Sequence, residues 1–164
     1  MEKEVAEKYR VITKAIIEKN KSITVMESCT GGMIASLLTD TEGSSAVFKG
    51  SFVTYSNEAK IMQGVPEDII KTYGVYSKET AKAMADAARN TFSSDIAIGV
   101  TGTFGNIDPN NADSTPGEVH FAIATDKETK AWSETLKPQN SRHAYKYAIA
   151  LLIANELLST CNLH

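Results

Sequence analysis

Cysteine is scarce in this sequence. Cys29 and Cys161 are the two in 164 residues, too few for a disulfide framework and without the spacing of a metal-binding knuckle. Both are expected to be reduced thiols. No apolar run approaches the roughly 18 residues that a membrane-spanning helix requires. The opening Met1-Glu2-Lys3-Glu4-Val5-Ala6-Glu7-Lys8 is charged where a secretory leader carries an apolar core. A soluble, cytoplasmic protein with no membrane partner is therefore expected. Lysine and arginine number 17 against 20 acidic residues, for a net charge of -3, and they form no basic stripe. Nucleic acid is not an expected partner. His120, His143 and His164 stand far apart without ligand-like spacing, and no aspartate cluster resembles a calcium loop, so neither a metal nor a cofactor is expected. Internal repeats and low-complexity stretches are also missing.

What remains is a chain of ordinary globular composition, 42% hydrophobic, long enough for one well-packed core and too short for two independent ones. A single domain over residues 1–164 is the expectation. Val5, Tyr9, Ile12 and Ile16 recur at helical spacing, which predicts a first helix ending near Asn20. A strand over Ile23–Met26 then leads through a glycine turn into a helix reaching about Thr39. Asp40-Thr41-Glu42-Gly43-Ser44-Ser45 reads as a loop, and Val47–Tyr55 is rich in β-formers. Ser56 can cap a helical turn that places Lys60 just past the strand end. Pro66 and Gly74 bracket a short helix, and Ser77 can cap a longer one whose Ala81, Met84, Ala85 and Ala88 permit close packing on a sheet.

Ile96–Val100 lacks polar alternation and reads as a strand buried on both faces. A long loop follows over Thr103–Pro116. Glu118–Ala124 and Ala131–Leu136 suggest a hairpin turned at Asp126-Lys127, and a helix from about Ser141 to Leu158 closes the chain. Helices interspersed among strands, some of them continuously apolar, imply an α/β fold: a three-layer α/β/α sandwich around a central mixed sheet. Ligands gather outside strand ends in such sheets. The ends after Met26, Tyr55 and Val100 each bring small or hydroxyl residues and could meet at one pocket.

The richest of those ends is Val25-Met26-Glu27-Ser28-Cys29-Thr30-Gly31-Gly32. It sets hydroxyls at a strand-to-helix turn, where free backbone N–H groups favour negative charge, although such a turn also serves as a plain helix cap. A nucleophilic Ser28 needs a base. His120 falls in a strand and His143 beside Arg142 at a helix start, so a histidine triad is poorly supplied. A lysine serves when burial lowers its pKa from about 10.4 towards neutrality, and Lys60 is the best placed. Cys29 is a rival nucleophile, with a small buried hydrophobe turned away from Ser28 as its plainer reading.

The ordered set Glu27-Ser28-Cys29-Thr30-Gly31-Gly32, Gly43-Ser44-Ser45, Phe52-Val53-Thr54-Tyr55-Ser56-Asn57-Glu58-Ala59-Lys60, Gly64-Val65 and Thr101-Gly102 resembles the CinA C-terminal domain family, the nicotinamide mononucleotide deamidases. The resemblance runs from about Ile23 to Val100 and more weakly to the last helix. It implies a hydrolase that converts the carboxamide of nicotinamide mononucleotide to a carboxylate with release of ammonia. The Ser-Lys pair of the family falls on Ser28 and Lys60. Donors for an oxyanion would come from Thr30-Gly31 or from Gly43-Ser44-Ser45, while Tyr55 and Thr101 would wall the base and ribose.

The chain departs from the family after Thr101. Gly102-Thr103-Phe104-Gly105-Asn106-Ile107-Asp108-Pro109 stands where members carry a Gly-Ile-Ala-Gly-Pro-type loop, and Ser114-Thr115-Pro116-Gly117 replaces a Lys-Pro-Val-Gly segment. Of the family's Gly-Asp-Arg stretch before the last helix, only Arg142 is retained as an equivalent, to hold a substrate phosphate or depress the lysine pKa; an exposed residue at a helix start is the plainer reading. The N-terminal domain that many members carry, resembling molybdopterin-binding proteins, is absent, so the stand-alone form is expected. The implied partner is a small-molecule nucleotide substrate, in a homodimer as is common for small α/β enzymes. The alternative is a family member that binds a nucleotide or a protein partner without hydrolysing it.

Overall fold

A computed structural model describes residues 1–164. Five strands form one mixed sheet, β1 (Ile23–Glu27), β2 (Phe52–Val53), β3 (Ile96–Gly102), β4 (Glu118–Ala124) and β5 (Thr129–Thr135), in the order β2-β1-β3-β4-β5. The first three are parallel, and β4 and β5 run antiparallel as the expected hairpin. The helices are α1 (Glu2–Glu18), α2 (Met33–Thr39), α3 (Asn57–Met62), α4 (Glu67–Tyr73), α5 (Lys78–Phe92) and α6 (Arg142–Thr160). None is long and apolar enough to cross a membrane.

The alternation of strand side chains divides the core in two. Ile23, Val25, Ile96, Ile98, Val100, Val119, Phe121 and Ile123 point to one face and pack with Val5, Tyr9, Ile12 and Ile16 of α1, Ile34 and Leu38 of α2, and Ile149, Ile153 and Leu157 of α6. The other face presents Met26, Ala97, Ala122 and Ala124 to Ala81, Met84, Ala85 and Ala88 of α5. Large branched residues on the first face hold three helices. Small residues on the second let α5 lie almost against the sheet: a β-carbon on Gly99 would fall 2.2 Å from Ala81 O and 2.6 Å from Ala85 N. Three layers result, as the sequence implied.

One strand is much shorter than expected. The β-rich run Val47–Tyr55 pairs with β1 only at Phe52 and Val53, with an isolated bridge from Phe48 to Ile23. Gly50 interrupts the ladder, because its backbone rests on the Phe92 ring, where a β-carbon would come within 2.8 Å, and its carbonyl accepts from Thr24 Oγ1 at 2.7 Å. This is also a sheet edge, where short strands limit unwanted pairing.

Candidate active site

Parallel pairing puts the C-terminal ends of β1, β2 and β3 side by side. Glu27 pairs with Val53 on one side and Val100 on the other, so Ser28 and Thr54 leave the sheet at one level, beside Thr101, where β3 runs on to Gly102 against β4. Backbone bonds hold that level: Ser28 N donates to Val100 O at 3.0 Å and Thr54 N to Glu27 O at 2.7 Å. A cleft of about 730 Å³ opens there, within the size range of small-molecule sites. It is lined by Ser28, Cys29, Tyr55, Lys60, Tyr76 and Arg142, among others, and by the loop after β3.

Lys60 reaches the cleft from α3. The helix starts at Ser56, whose Oγ accepts from Ala59 N at 3.1 Å, and Lys60 follows one turn later with its side chain directed back over the strand end. Its Nζ donates to Thr54 O at 2.8 Å and lies 3.0 Å from Ser28 Oγ. The residue is only 2% exposed. Burial disfavours the charged amine and pulls its pKa from 10.5 down to about 8, with the Cys29 thiol and the Asp108 carboxylate acting in the opposite direction. Burial also pushes the Cys29 thiol up to about 12, so it stays protonated near neutrality and is a poor nucleophile. Asp108 is then the charged group that supports the Lys60 ammonium.

Glu27 stands directly before Ser28 and fixes the turn. Its buried carboxylate accepts from Ile34 N at 2.9 Å and Ala35 N at 3.0 Å, satisfying the orphan amides at the start of α2. Gly31 and Gly32 carry the chain through left-handed conformations, φ 61° and 100°, on the way to that helix. The Gly31 amide donates to Ser28 O, whereas those of Cys29 and Thr30 donate to no backbone carbonyl.

Other residues singled out from sequence are spread more widely. Tyr55, 64% exposed, lies on the rim, where its hydroxyl accepts from Arg142 Nη2 at 3.0 Å. Arg142, the first residue of α6, sits 5.3 Å above the Phe104 ring, which in turn stacks on Tyr145. Thr101 is fully buried behind the cleft, donating to Val75 O at 3.1 Å and so fixing the segment that bears Tyr76. Thr30 is buried outside the lining, and Gly31 faces Lys146 Nζ instead.

Gly43, Ser44 and Ser45 are not brought to the cleft. They form a 3-10 turn that ends beside the start of β1, where Ile23 N donates to Val47 O. The cleft lies beyond the other end of that strand, about 15 Å away at the rise of a β-strand. Gly43, at φ 89°, packs on Ile17, and Ser44 Oγ contacts Thr39 O. None of the three histidines lines the cleft either. Sequence reasoning overlooked Tyr76, Asp108, Asn57 and Asn111, which form its polar wall. For Asp108 and Asn111 the one signal was the departure of the 103–116 loop from the family pattern, Asn57 stood unremarked inside the family motif, and Tyr76 had no signal.

The chain matches the CinA C-terminal domain over residues 5–159. A CinA-like protein of Prochlorococcus marinus is 42% identical over 117 residues, 70% of this chain and 27% of that protein. Another CinA-like protein, from Flavobacterium psychrophilum, is 42% identical over 120 residues, 71% of this chain and 28% of that protein. The chain thus spans little more than a quarter of the curated relatives it matches. Among solved structures, the competence/damage inducible protein CihA of Agrobacterium tumefaciens superimposes with a TM-score of 0.83 at 30% identity, covering 97% of this chain and 94% of that one. The competence damage-inducible protein A of Klebsiella pneumoniae shares the fold, with a TM-score of 0.87 at 21% identity over 96% and 97% of the two chains.

Proposed function

Because the chain belongs to the CinA C-terminal domain family and buries a lysine amine 3.0 Å from a serine hydroxyl, we propose that it is an amidohydrolase converting nicotinamide mononucleotide to nicotinic acid mononucleotide and ammonia. The Ser28–Lys60 contact is the observation that carries the proposal. With a pKa near 8, about one Lys60 in ten is neutral at pH 7, against roughly one in three thousand for a lysine at 10.5. The neutral amine keeps one N–H on Thr54 O, which aims its lone pair at the Ser28 hydroxyl.

Ser28 Oγ attacks the carboxamide carbon and its proton passes to Lys60 Nζ. The tetrahedral intermediate collapses as the Lys60 ammonium protonates the departing nitrogen. Ammonia leaves, and an ester of Ser28 remains. Water then attacks that ester, again losing its proton to Lys60, which returns it to Ser28 Oγ as the carboxylic acid is released. The Cys29 amide, directly after the nucleophile and without a backbone acceptor, is the candidate oxyanion donor. Arg142, braced by Tyr55 and Phe104, offers a cation at the rim for the phosphate.

The test is ammonia release from nicotinamide mononucleotide by the wild-type, Ser28→Ala and Lys60→Ala proteins, each checked for an intact fold. Wild-type release at least about a thousandfold above either variant is expected. Wild-type turnover no greater than that of the variants overturns the proposal. The rebuilt 103–116 loop favours a second reading, a family member that binds a nucleotide without hydrolysing it. Thermal stabilisation by the nucleotide without turnover supports that reading.

A further inference from the structure

The loop from Thr103 to Gly117 is closed at its base and tied down at its tip. At the base, Gly117 N donates to Thr103 O and Phe104 O, and Thr103 N donates to Glu118 O. Between these points the chain carries Asp108, whose carboxylate collects donors from three directions. Tyr76 Oη donates to Oδ2, as does Asn111 Nδ2 at 2.7 Å, and Asn110 N donates to Oδ1 at 2.8 Å. The Asp108 amide in turn donates to Ser114 Oγ at 2.9 Å.

Asn111 extends the chain of bonds by accepting from Asn57 Nδ2 at 3.0 Å. Asn57 is the first residue of α3, three before Lys60. Tyr76 is held independently, since Thr101 fixes Val75 against β3. Farther along the loop, Asp113 lies against Gly74, where any β-carbon would fall 2.2 Å from its Oδ2. The loop thus bridges the segment before α5 and the helix that carries the lysine.

We propose that Asp108 is a positioning residue, latching the 103–117 loop to Tyr76 and, through Asn111 and Asn57, to the helix of Lys60, so that one carboxylate shapes a wall of the cleft and ties it to the helix that carries the lysine. The inference takes from the proposed function only that Lys60 is the working base. The bonds order a loop that would otherwise pay its conformational entropy when substrate arrives.

Charged and titratable groups lining the cleft with Lys60 are few. Cys29 comes from the turn after β1, Tyr55 from the segment after β2, Glu58 from the lysine's own helix, Tyr76 from the segment before α5 and Arg142 from α6. Asp108 comes from the loop; burial raises its carboxyl, but the hydrogen bonds from Tyr76, Asn111 and Asn110 together outweigh that and hold it below the usual carboxylate range. It therefore remains an anion wherever Lys60 titrates.

Two substitutions separate latch from charge. Tyr76→Phe removes a latch bond and keeps the carboxylate, while Asp108→Asn removes the charge as well. Amide hydrogen exchange across residues 104–113 should quicken at least about tenfold in both, the effect of losing a hydrogen bond to a charged group. The Lys60 side-chain titration, followed by NMR on ¹³Cε, should move to lower pH in Asp108→Asn and stay in place in Tyr76→Phe. With nicotinamide mononucleotide as substrate, both variants should raise KM several-fold more than they lower kcat at the pH plateau.

Unchanged loop exchange in both variants, or a Lys60 midpoint that ignores the loss of Asp108, overturns the latch. If Asp108→Asn does not fold, loop exchange in Tyr76→Phe decides alone. Exchange and titration need no turnover, so a wild-type protein that releases no ammonia yet shows both shifts removes the proposed function and leaves the latch standing.

Discussion

Replacing Lys60 by methionine keeps most of its apolar stem and deletes its amine, and the consequence is a pH dependence of stability with a fixed sign. In the unfolded chain the amine holds its proton up to about pH 10.5, whereas in the folded protein it gives it up near 8. Below pH 8 both states are protonated and the group contributes no slope, though the cost of burying the charge persists. Between 8 and 10.5 the unfolded state binds more protons, so wild-type stability rises with pH by about 1.4 kcal/mol per pH unit, roughly 3 kcal/mol in all. Above 10.5 the slope vanishes again. The assay is urea unfolding of wild type and Lys60→Met from about pH 7 to 10.5 at constant ionic strength. Other titrating groups are common to both proteins and cancel in the difference. Wild type should gain about 3 kcal/mol on the variant across this range. Curves that stay parallel within about 0.5 kcal/mol would refute the reasoning, because the amine would then titrate alike in both states.

Glu27→Ala should destabilise the protein by about 2–4 kcal/mol in the same unfolding assay, since Ile34 N and Ala35 N lose their buried acceptor. A loss below about 0.5 kcal/mol would show that water or a rearranged turn satisfies those amides. Gly99→Ala should cost about 3 kcal/mol, because its methyl group meets two backbone atoms of α5, neither of which can swing aside. An unchanged unfolding midpoint would mean that α5 stands off the sheet farther than the packing requires.

Much of the fold was legible because its signals are local. The apolar positions of α1 repeat every three or four residues, Ser77 and Ser141 cap α5 and α6, and the unbroken apolar run of β3 places it inside the sheet. The edge was not legible. Val47–Tyr55 has the composition of a strand, yet only Phe52 and Val53 pair, because Phe92, distant in sequence, takes the space beside Gly50. The candidate site divides in the same way. Ser28 and Lys60 could be ranked from their places at strand ends, and the structure puts them in contact. Gly43-Ser44-Ser45, equally rich in small residues, lies at the opposite end of β1, and nothing in its composition reveals which end.

By itself the sequence determined where the long helices and the inner strands lie, which faces are apolar, the mixed α/β layering and the motif that marks the family. Those properties rest on short-range spacing, capping and side-chain shape. Tertiary structure alone decided that a lysine 32 residues from the serine would sit buried at 3.0 Å from it, that Glu27 would cap α2 from beneath the turn, and that Asp108 would accept from Tyr76 of a distant segment. The physical reason is that pKa depends on burial and on charges from distant segments, and that hydrogen bonds depend on geometry to within about half an ångström. Neither quantity exists until the strands have paired.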